Sequence, residues 1–173
     1  MSELILKPME TEEEIRGKAY VHWKSWQESY AGLVDADYLR RLTLESCEER
    51  AFRWTSDTWV AKLDGQVVGF VCCGPDREHP GAGEIYALYV LEAYQKQKIG
   101  WRLMQLCLEE LRGCGRIFLW ALAGNDKALR FYERVGFRRD GAEKVITLGT
   151  PVKGVRMVLE REAAALSGER HGG

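Results

Sequence analysis

The sequence lacks the features that mark several classes of protein. No run of 18 apolar residues occurs in its 173 residues, so no membrane-spanning helix is predicted. The N-terminal stretch MSELILKPME is too polar and acidic for a signal peptide, and we expect a cytoplasmic protein with no membrane partner. Lysine and arginine number 25 against 26 aspartates and glutamates, so the basic excess of a nucleic-acid-binding protein is missing.

Cysteine and histidine are not arranged as in a disulfide framework or a metal site. The cysteines are five, an odd number, and no C-x-x-C pair occurs among them. The three histidines are scattered without the spacing of metal ligands, so we expect no metal. We interpret the cysteines as mostly small buried apolar residues. They are Cys47, Cys72, Cys73, Cys107 and Cys114.

The most informative stretch is a strand, a short polar turn and the start of a helix. Residues 84–91 are almost continuously apolar, which is typical of a central strand covered on both faces. From Ile99 the apolar residues recur at helical spacing, and the turn before it carries Lys96 and Lys98. Because the first-turn N–H groups of a helix lack partners, this geometry predicts a phosphate site. A solvated turn with two lysines explains the same pattern.

The rest of the chain shows further helix starts and a hairpin. A first strand is predicted over residues 4–9, and the Asp64-Gly65 pair predicts a tight turn between two apolar runs. The predicted helix N-caps are Thr11, Asp35 or Asp37, Thr43, and Asn125 or Asp126.

The C-terminal half predicts a buried strand, a helix and two closing strands. The buried strand is RIFLWAL, residues 116–122, and the closing strands run from 137 to about 147 and from about 154 to 161, joined by a TLGTPVKG turn. Neither an internal repeat nor a linker is visible. The economical interpretation is one α+β domain over residues 1–162, followed by a frayed tail over 163–173.

The order of these elements and two motifs resemble the GNAT acetyltransferases, which use acetyl-coenzyme A. The stretch EIYALYVLEAYQKQKIG is similar to the family's strand and Q/R-x-x-G-x-G/A cofactor loop. The segment N-x-x-A-x-x-F-Y-E-x-x-G-F, from Asn125 to Phe137, matches the family's second cofactor segment. The resemblance covers nearly the whole chain. It implies a three-layer α/β/α GNAT-type fold, with a mixed, mostly antiparallel sheet of about seven strands flanked by helices.

The resemblance also implies where acetyl-coenzyme A binds. The backbone of the turn would hold the pyrophosphate. The strand before it would be bulged and would separate from the strand RIFLWAL, so that its free N–H and C=O groups could bind the pantetheine. One departure concerns Lys98, which stands where the family most often has glycine; its bulk would crowd the phosphate and its charge would attract it. The expected cofactor-binding residues are Leu88, Tyr89, Val90, Gln95, Lys96, Gln97, Lys98, Ile99, Gly100, Trp101, Asn125, Ala128 and Tyr132.

The chemistry implied by the resemblance is transfer of an acetyl group to an amine. Because a free amine is largely protonated at neutral pH, a base is needed, and Glu84 at the start of the strand is the candidate, directly or through water. Tyr132 is the candidate acid for the leaving thiolate. The backbone N–H of Tyr89 or Val90 is suited to the developing oxyanion.

The acceptor is the least determined part of the prediction. Trp26 and Tyr30, with the carboxylates of Asp35, Asp37 and Glu84, would form an aromatic and acidic pocket suited to a cationic amine. Ordinary packing and helix caps explain the same residues. A small amine, a polyamine, an amino acid, an aminoglycoside-like compound and a peptide amine all stay open. A homodimer through edge strands, a non-catalytic acyl-coenzyme A sensing domain and a purely structural domain are the alternatives considered.

Overall fold

A computed structural model describes residues 3–164 and contains one seven-stranded sheet with helices on both faces. The elements in chain order are β1 (Leu4–Pro8), α1 (Glu12–Ser29), α2 (Ala36–Arg41), α3 (Leu44–Arg53), β2 (Thr58–Leu63), β3 (Gln66–Pro75), β4 (Gly83–Val90), a 3₁₀ helix (Glu92–Gln97), α4 (Ile99–Glu110), β5 (Arg116–Leu122), α5 (Asp126–Val135), β6 (Arg138–Leu148) and β7 (Thr150–Glu160). The strand order is β1-β2-β3-β4-β5-β7-β6. Neighbouring strands are antiparallel except the parallel pair β4 and β5, so the mixed sheet is confirmed.

The helices begin where polar side chains cap them. Thr11 accepts a hydrogen bond from the Glu14 N–H while the Glu14 carboxylate accepts one from the Thr11 N–H, which is a capping box. Asp35 caps α2, Thr43 caps α3 and Asn125 caps α5 through their side-chain oxygens. These contacts confirm the predicted helix starts and satisfy N–H groups that would otherwise lack partners.

The sheet forms the middle layer of three. On one face, the Lys18 ammonium of α1 lies 4.9 Å from the centre of the Phe70 ring in β3. On the other face, α4 packs so closely that a Cβ added to Gly69 would lie 3.3 Å from Leu103. The predicted three-layer architecture is therefore confirmed. Four of the five cysteines are buried in these layers, and Cys114 is partly exposed.

The C-terminal hairpin is longer than the sequence predicted. β7 begins at Thr150 rather than near Gly154, and the turn is a short one at Gly149, whose φ is +81°. Pro151 is compatible with a strand here because β5 pairs with β7 only from Gly154 onward. The start of β7 therefore has a neighbour on one side, where a missing N–H is tolerated.

The sheet opens between β4 and β5. The two strands pair from Gly83 opposite Ile117 to Ile85 opposite Leu119, and then separate. On its other side, β4 has a bulge at Tyr86, because the register with β3 shifts by one residue there. The resemblance to the GNAT family implied both the bulge and the separation of β4 from β5. Together they leave the second half of β4 with an open edge.

The described range ends at Ala164. Of the tail predicted over residues 163–173, the part from 165 onward lies outside the described residues. No helix within the described range is long and apolar enough to cross a membrane.

Candidate active site

The opening between β4 and β5 is a cleft with a cavity volume of about 660 Å³. Its inner end is lined by apolar and aromatic side chains, including Ile85, Leu119 and Tyr132. Its outer end, where the lining residues are exposed, carries cations. These are Lys96, Lys98, Lys127 and Arg134. The cleft therefore runs from a cationic mouth to an uncharged interior.

The edge of β4 presents alternate residues to this cleft. Leu91, directly after β4, donates its N–H to the Val68 carbonyl of β3 at 2.9 Å. Because hydrogen-bonded pairs alternate along antiparallel strands, the backbone groups of Tyr89 point toward β3, and those of Leu88 and Val90 point into the cleft. The prediction that Tyr89 offers its backbone to the ligand is thus wrong. Leu88 and Val90 keep the geometry for that role.

The turn after β4 brings the start of α4 to the mouth of the cleft. Lys98 has a φ of +62° and directly precedes the helix. The N–H groups of the first turn, from Ile99 to Trp101, have no acceptor within the helix. Gly100 and Trp101 line the cavity, but the Ile99 side chain is fully buried in the core and Gln97 lies outside the lining. Only the backbone of Ile99 is therefore suited to a ligand.

Lys98 occupies a left-handed conformation that glycine adopts without strain. We expect Lys98→Gly to raise the free energy of unfolding by about 0.5 to 1 kcal/mol, because release of left-handed strain outweighs the added freedom of the unfolded chain. Urea unfolding measures the change. Lys96→Gly is the matched control, since Lys96 lies in the 3₁₀ helix and is not among the described residues with positive φ. Equal effects of the two substitutions would contradict the strain argument.

Gln95 and Asn125 both form hydrogen bonds at the mouth of the cleft. Gln95 donates from Nε2 to the Val90 carbonyl at 3.0 Å and accepts from the Lys127 ammonium. Asn125 accepts at Oδ1 from the Ala128 N–H at 3.3 Å, which leaves its NH₂ group free of that cap. Asn125 and Ala128 both line the cavity, as the resemblance implied. The Asn125 NH₂ is the donor that remains for a ligand.

Three tyrosines converge at the inner end of the cleft. The hydroxyl groups of Tyr30 and Tyr89 lie 3.1 Å apart, and Tyr132 completes the cluster from α5. Burial raises the pKa of each of the three phenols, so all are protonated at neutral pH and able to donate a hydrogen bond. Trp26, predicted to touch the acceptor, lies behind Tyr30 with ring centres 4.8 Å apart and does not line the cavity.

Glu84 does not line the cleft. The residue is 3% exposed. Its carboxylate accepts hydrogen bonds from Arg77, at 3.1 Å from Nε, 2.6 Å from Nη2 and 3.3 Å from the backbone N–H. All three donors belong to Arg77, which lies in the loop between β3 and β4. The predicted position of Glu84 beside the reacting amine is therefore corrected: it anchors the loop that carries Arg77.

The predicted acidic pocket for the acceptor is not assembled either. Asp35 caps α2 through the Tyr38 N–H, and Asp37 is exposed and paired with Arg40. Within residues 3–164, none of the side chains that line the cavity carries a carboxylate. The inner end is thus aromatic but uncharged.

Several lining residues were missed by the sequence analysis. Lys127, Phe131 and Arg134 lie on one side of α5, at the spacing that places residues on a common helix face. That spacing was a usable signal for the two cations. Trp120 of β5 also lines the cleft, and its place depends on where β4 and β5 separate, which the sequence does not reveal.

His22 lies behind the tyrosine cluster and is 7% exposed. Its ring is stacked on Tyr89 at 6.4 Å, and its Nδ1 has no hydrogen-bond partner in the part of the chain that is described. Burial, followed by the charges of Lys18 and Arg50, lowers its pKa to about 4. The fold therefore holds this imidazole neutral.

A neutral buried histidine makes stability depend on pH. The unfolded chain binds a proton at His22 below about pH 6.5 and the folded chain does not, so stability present above that pH is lost as the pH falls toward 4. We expect His22 to lower the free energy of unfolding by roughly 2 to 3 kcal/mol between pH 7 and pH 4. Urea unfolding of the wild type and His22→Leu at several pH values isolates the difference. If the free energy of unfolding depended on pH equally in the two proteins, this expectation would be contradicted.

Fold and cleft together define a class of protein. A sheet opened beside a bulged parallel strand, with a cationic helix N-terminus at its mouth, is the arrangement of an acyl-coenzyme A-dependent transferase. A model of the Acetyltransferase (GNAT) family matches residues 19–137. The chain belongs to this family. It is an acetyltransferase, and acetyl-coenzyme A is its acetyl donor.

Individual relatives agree with the family. The chain is 34% identical to the probable N-acetyltransferase Rv2775 of Mycobacterium tuberculosis over 71% of its own length and 74% of the relative. It is 32% identical to the uncharacterized N-acetyltransferase YuaI of Bacillus subtilis over 83% and 86%. The PaiA N-acetyltransferase of Thermoplasma acidophilum, solved in complex with coenzyme A, has a similar fold. Its TM-score is 0.70 at 19% identity, over 92% of this chain and 99% of that one.

Proposed function

We propose that this enzyme acetylates a primary amine by direct attack in a ternary complex. The amine nitrogen attacks the thioester carbonyl, the carbon–sulfur bond breaks and the thiolate takes a proton from the Tyr132 hydroxyl. The observation that supports this is the continuous cleft from the cationic mouth at Lys98 to the buried hydroxyl cluster. A neutral phenol at the inner end suits a proton donor.

The oxyanion needs a hydrogen-bond donor that is already in place. We assign this role to the open edge of β4, where the N–H groups of Leu88 and Val90 face the cleft. One donor of this kind is worth roughly 10²-fold to 10³-fold in rate. The remaining strand groups and the Asn125 NH₂ are left to hold the pantetheine amides.

The proton of the amine has no side-chain acceptor in the cleft among the described residues. We therefore propose that it passes to solvent water at the open side of the cleft and that Glu84 acts as an anchor for Arg77 rather than as a base. The rate is then expected to rise with pH as the acceptor amine deprotonates.

Glu84→Gln distinguishes the two roles. We expect it to lower the free energy of unfolding by about 1 to 2 kcal/mol, because Arg77 loses its ionic partner, and to leave the shape of the pH–rate profile unchanged. Urea unfolding and initial rates between pH 6 and 10 measure both quantities. Arg77→Gln should weaken stability similarly. A rate loss in Glu84→Gln that disappears at high pH would restore Glu84 as the base.

The uncharged interior also constrains the acceptor. A polycation such as a polyamine or an aminoglycoside needs several carboxylates to offset its desolvation, and the cavity lining supplies none. A single amine fits beside the Tyr30 and Tyr89 hydroxyls. We propose a monoamine or a peptide amine whose neighbouring groups are uncharged.

Release of free thiol from acetyl-coenzyme A tests this proposal. A panel of monoamines, peptides with free N-termini, polyamines and aminoglycosides should give the highest kcat/KM for the first two groups. Preference for a polycationic amine would overturn the proposed acceptor class.

A further inference from the structure

Trp101 is a large aromatic side chain that the described fold leaves partly exposed at the cleft. Six large apolar side chains are exposed in the described range, and Trp101 is the one among them that lines the cleft. It is 43% exposed and is not among the buried residues that form the three apolar clusters within residues 3–164. Exposure of an indole ring to water is unfavourable, so the exposure of Trp101 at the mouth of the cleft needs a physical reason.

The direction of the side chain follows from its position. Trp101 is the third residue of α4, directly after Ile99 and Gly100. Side chains in a helix lean toward its N-terminus and cover the preceding turn. The indole therefore leans toward Lys98 and the free N–H groups that suit a pyrophosphate.

The surroundings of Trp101 are cationic. The outer end of the cleft that it lines also carries Lys96, Lys98, Lys127 and Arg134. The mouth thus combines four cations with one flat apolar ring, which is the chemistry of a site for a phosphorylated nucleoside. Phosphates meet the cations, and a base stacks on the ring.

We propose that Trp101 forms a stacking platform for the adenine base of the acetyl donor. The inference rests on the proposed placement of acetyl-coenzyme A in the cleft. With the pantetheine along β4 and the pyrophosphate at the start of α4, the nucleoside end lies outside, at the cationic mouth. Stacking on an indole needs no hydrogen bond to the base, so it supplies affinity rather than strict base selection.

Calorimetric titration with two ligands tests the platform. Coenzyme A carries the adenosine end and 4′-phosphopantetheine lacks it. We expect Trp101→Ala to weaken coenzyme A binding by about 5-fold to 100-fold and to leave 4′-phosphopantetheine binding unchanged. Trp101→Phe should retain part of the affinity. Trp54→Ala is the matched control, because Trp54 is 60% exposed and lies outside the cleft lining.

The outcomes separate this inference from the proposed function. Equal weakening of both ligands by Trp101→Ala would mean that the side chain supports the turn rather than the base, and unchanged coenzyme A binding would mean that it does neither. Either result overturns the platform. Failure of the wild type to bind coenzyme A or 4′-phosphopantetheine would instead overturn the placement of the donor in the cleft.

Discussion

Replacing Tyr132 by phenylalanine is expected to lower kcat by about 10²-fold to 10⁴-fold while the affinity for acetyl-coenzyme A stays nearly constant. The substitution removes one hydroxyl and keeps the ring, which packs against Phe131 and Phe137 at centroid distances of 5.5 and 6.1 Å. The lost group is the one proposed above to donate a proton to the leaving thiolate. Initial rates and calorimetric binding measure the two quantities separately.

Two comparisons make the Tyr132 result specific. Tyr94→Phe removes a hydroxyl from a residue that packs against the core outside the cleft lining, and it should leave kcat unchanged. An acetyl thioester with a more acidic thiol needs less help in leaving, so the loss in Tyr132→Phe should shrink with that donor. An unchanged kcat, or a loss equal for both thioesters, would remove the general-acid role.

Gly100→Glu is expected to weaken acetyl-coenzyme A binding by roughly 100-fold or more, since two like charges about 4 Å apart repel by several kcal/mol near a protein surface. The new carboxylate lies in the first turn of α4, among the N–H groups that suit a pyrophosphate. It competes for those groups as well as repelling the ligand. Calorimetric titration measures the loss.

Gly100→Ala separates charge from size. A Cβ at this position would meet its nearest neighbours, in Phe131 and Val90, at 3.8 Å, which is an ordinary contact. The alanine variant should therefore fold and bind almost as the wild type does. Equal losses in the two variants would show that bulk, rather than charge, excludes the ligand. Full binding by Gly100→Glu would place the phosphates elsewhere.

The parts of the fold that are determined locally were predictable from the sequence. The caps at Thr11 and Thr43 depend on residues three positions apart, and the Asp64-Gly65 turn has positive φ angles of 52° and 86°, as its residue types favour. The change from strand to helix around Lys98 was visible in the period of the apolar residues. Local hydrogen bonds and periodicity carried these predictions.

The features that depend on distant contacts were not predictable in this way. Glu84 is engaged by Arg77 because the loop between β3 and β4 folds back on the strand, and no local pattern announces that pairing. The N-terminal extension of β7 looked like a turn because Pro151 and Gly154 are rare inside central strands. The left-handed backbone at Lys98 was not predicted either, because lysine does not favour that conformation.

The central claim is that acetyl-coenzyme A lies along the open edge of β4 with its phosphates at the start of α4. Amide chemical shifts in a titration with acetyl-coenzyme A test it residue by residue. The amides of Leu88, Val90 and Gly100 should shift strongly, while that of Tyr89, which faces β3, should shift less. Strong shifts confined to residues outside the cleft, or a Tyr89 amide that moves as much as its neighbours, would contradict the account.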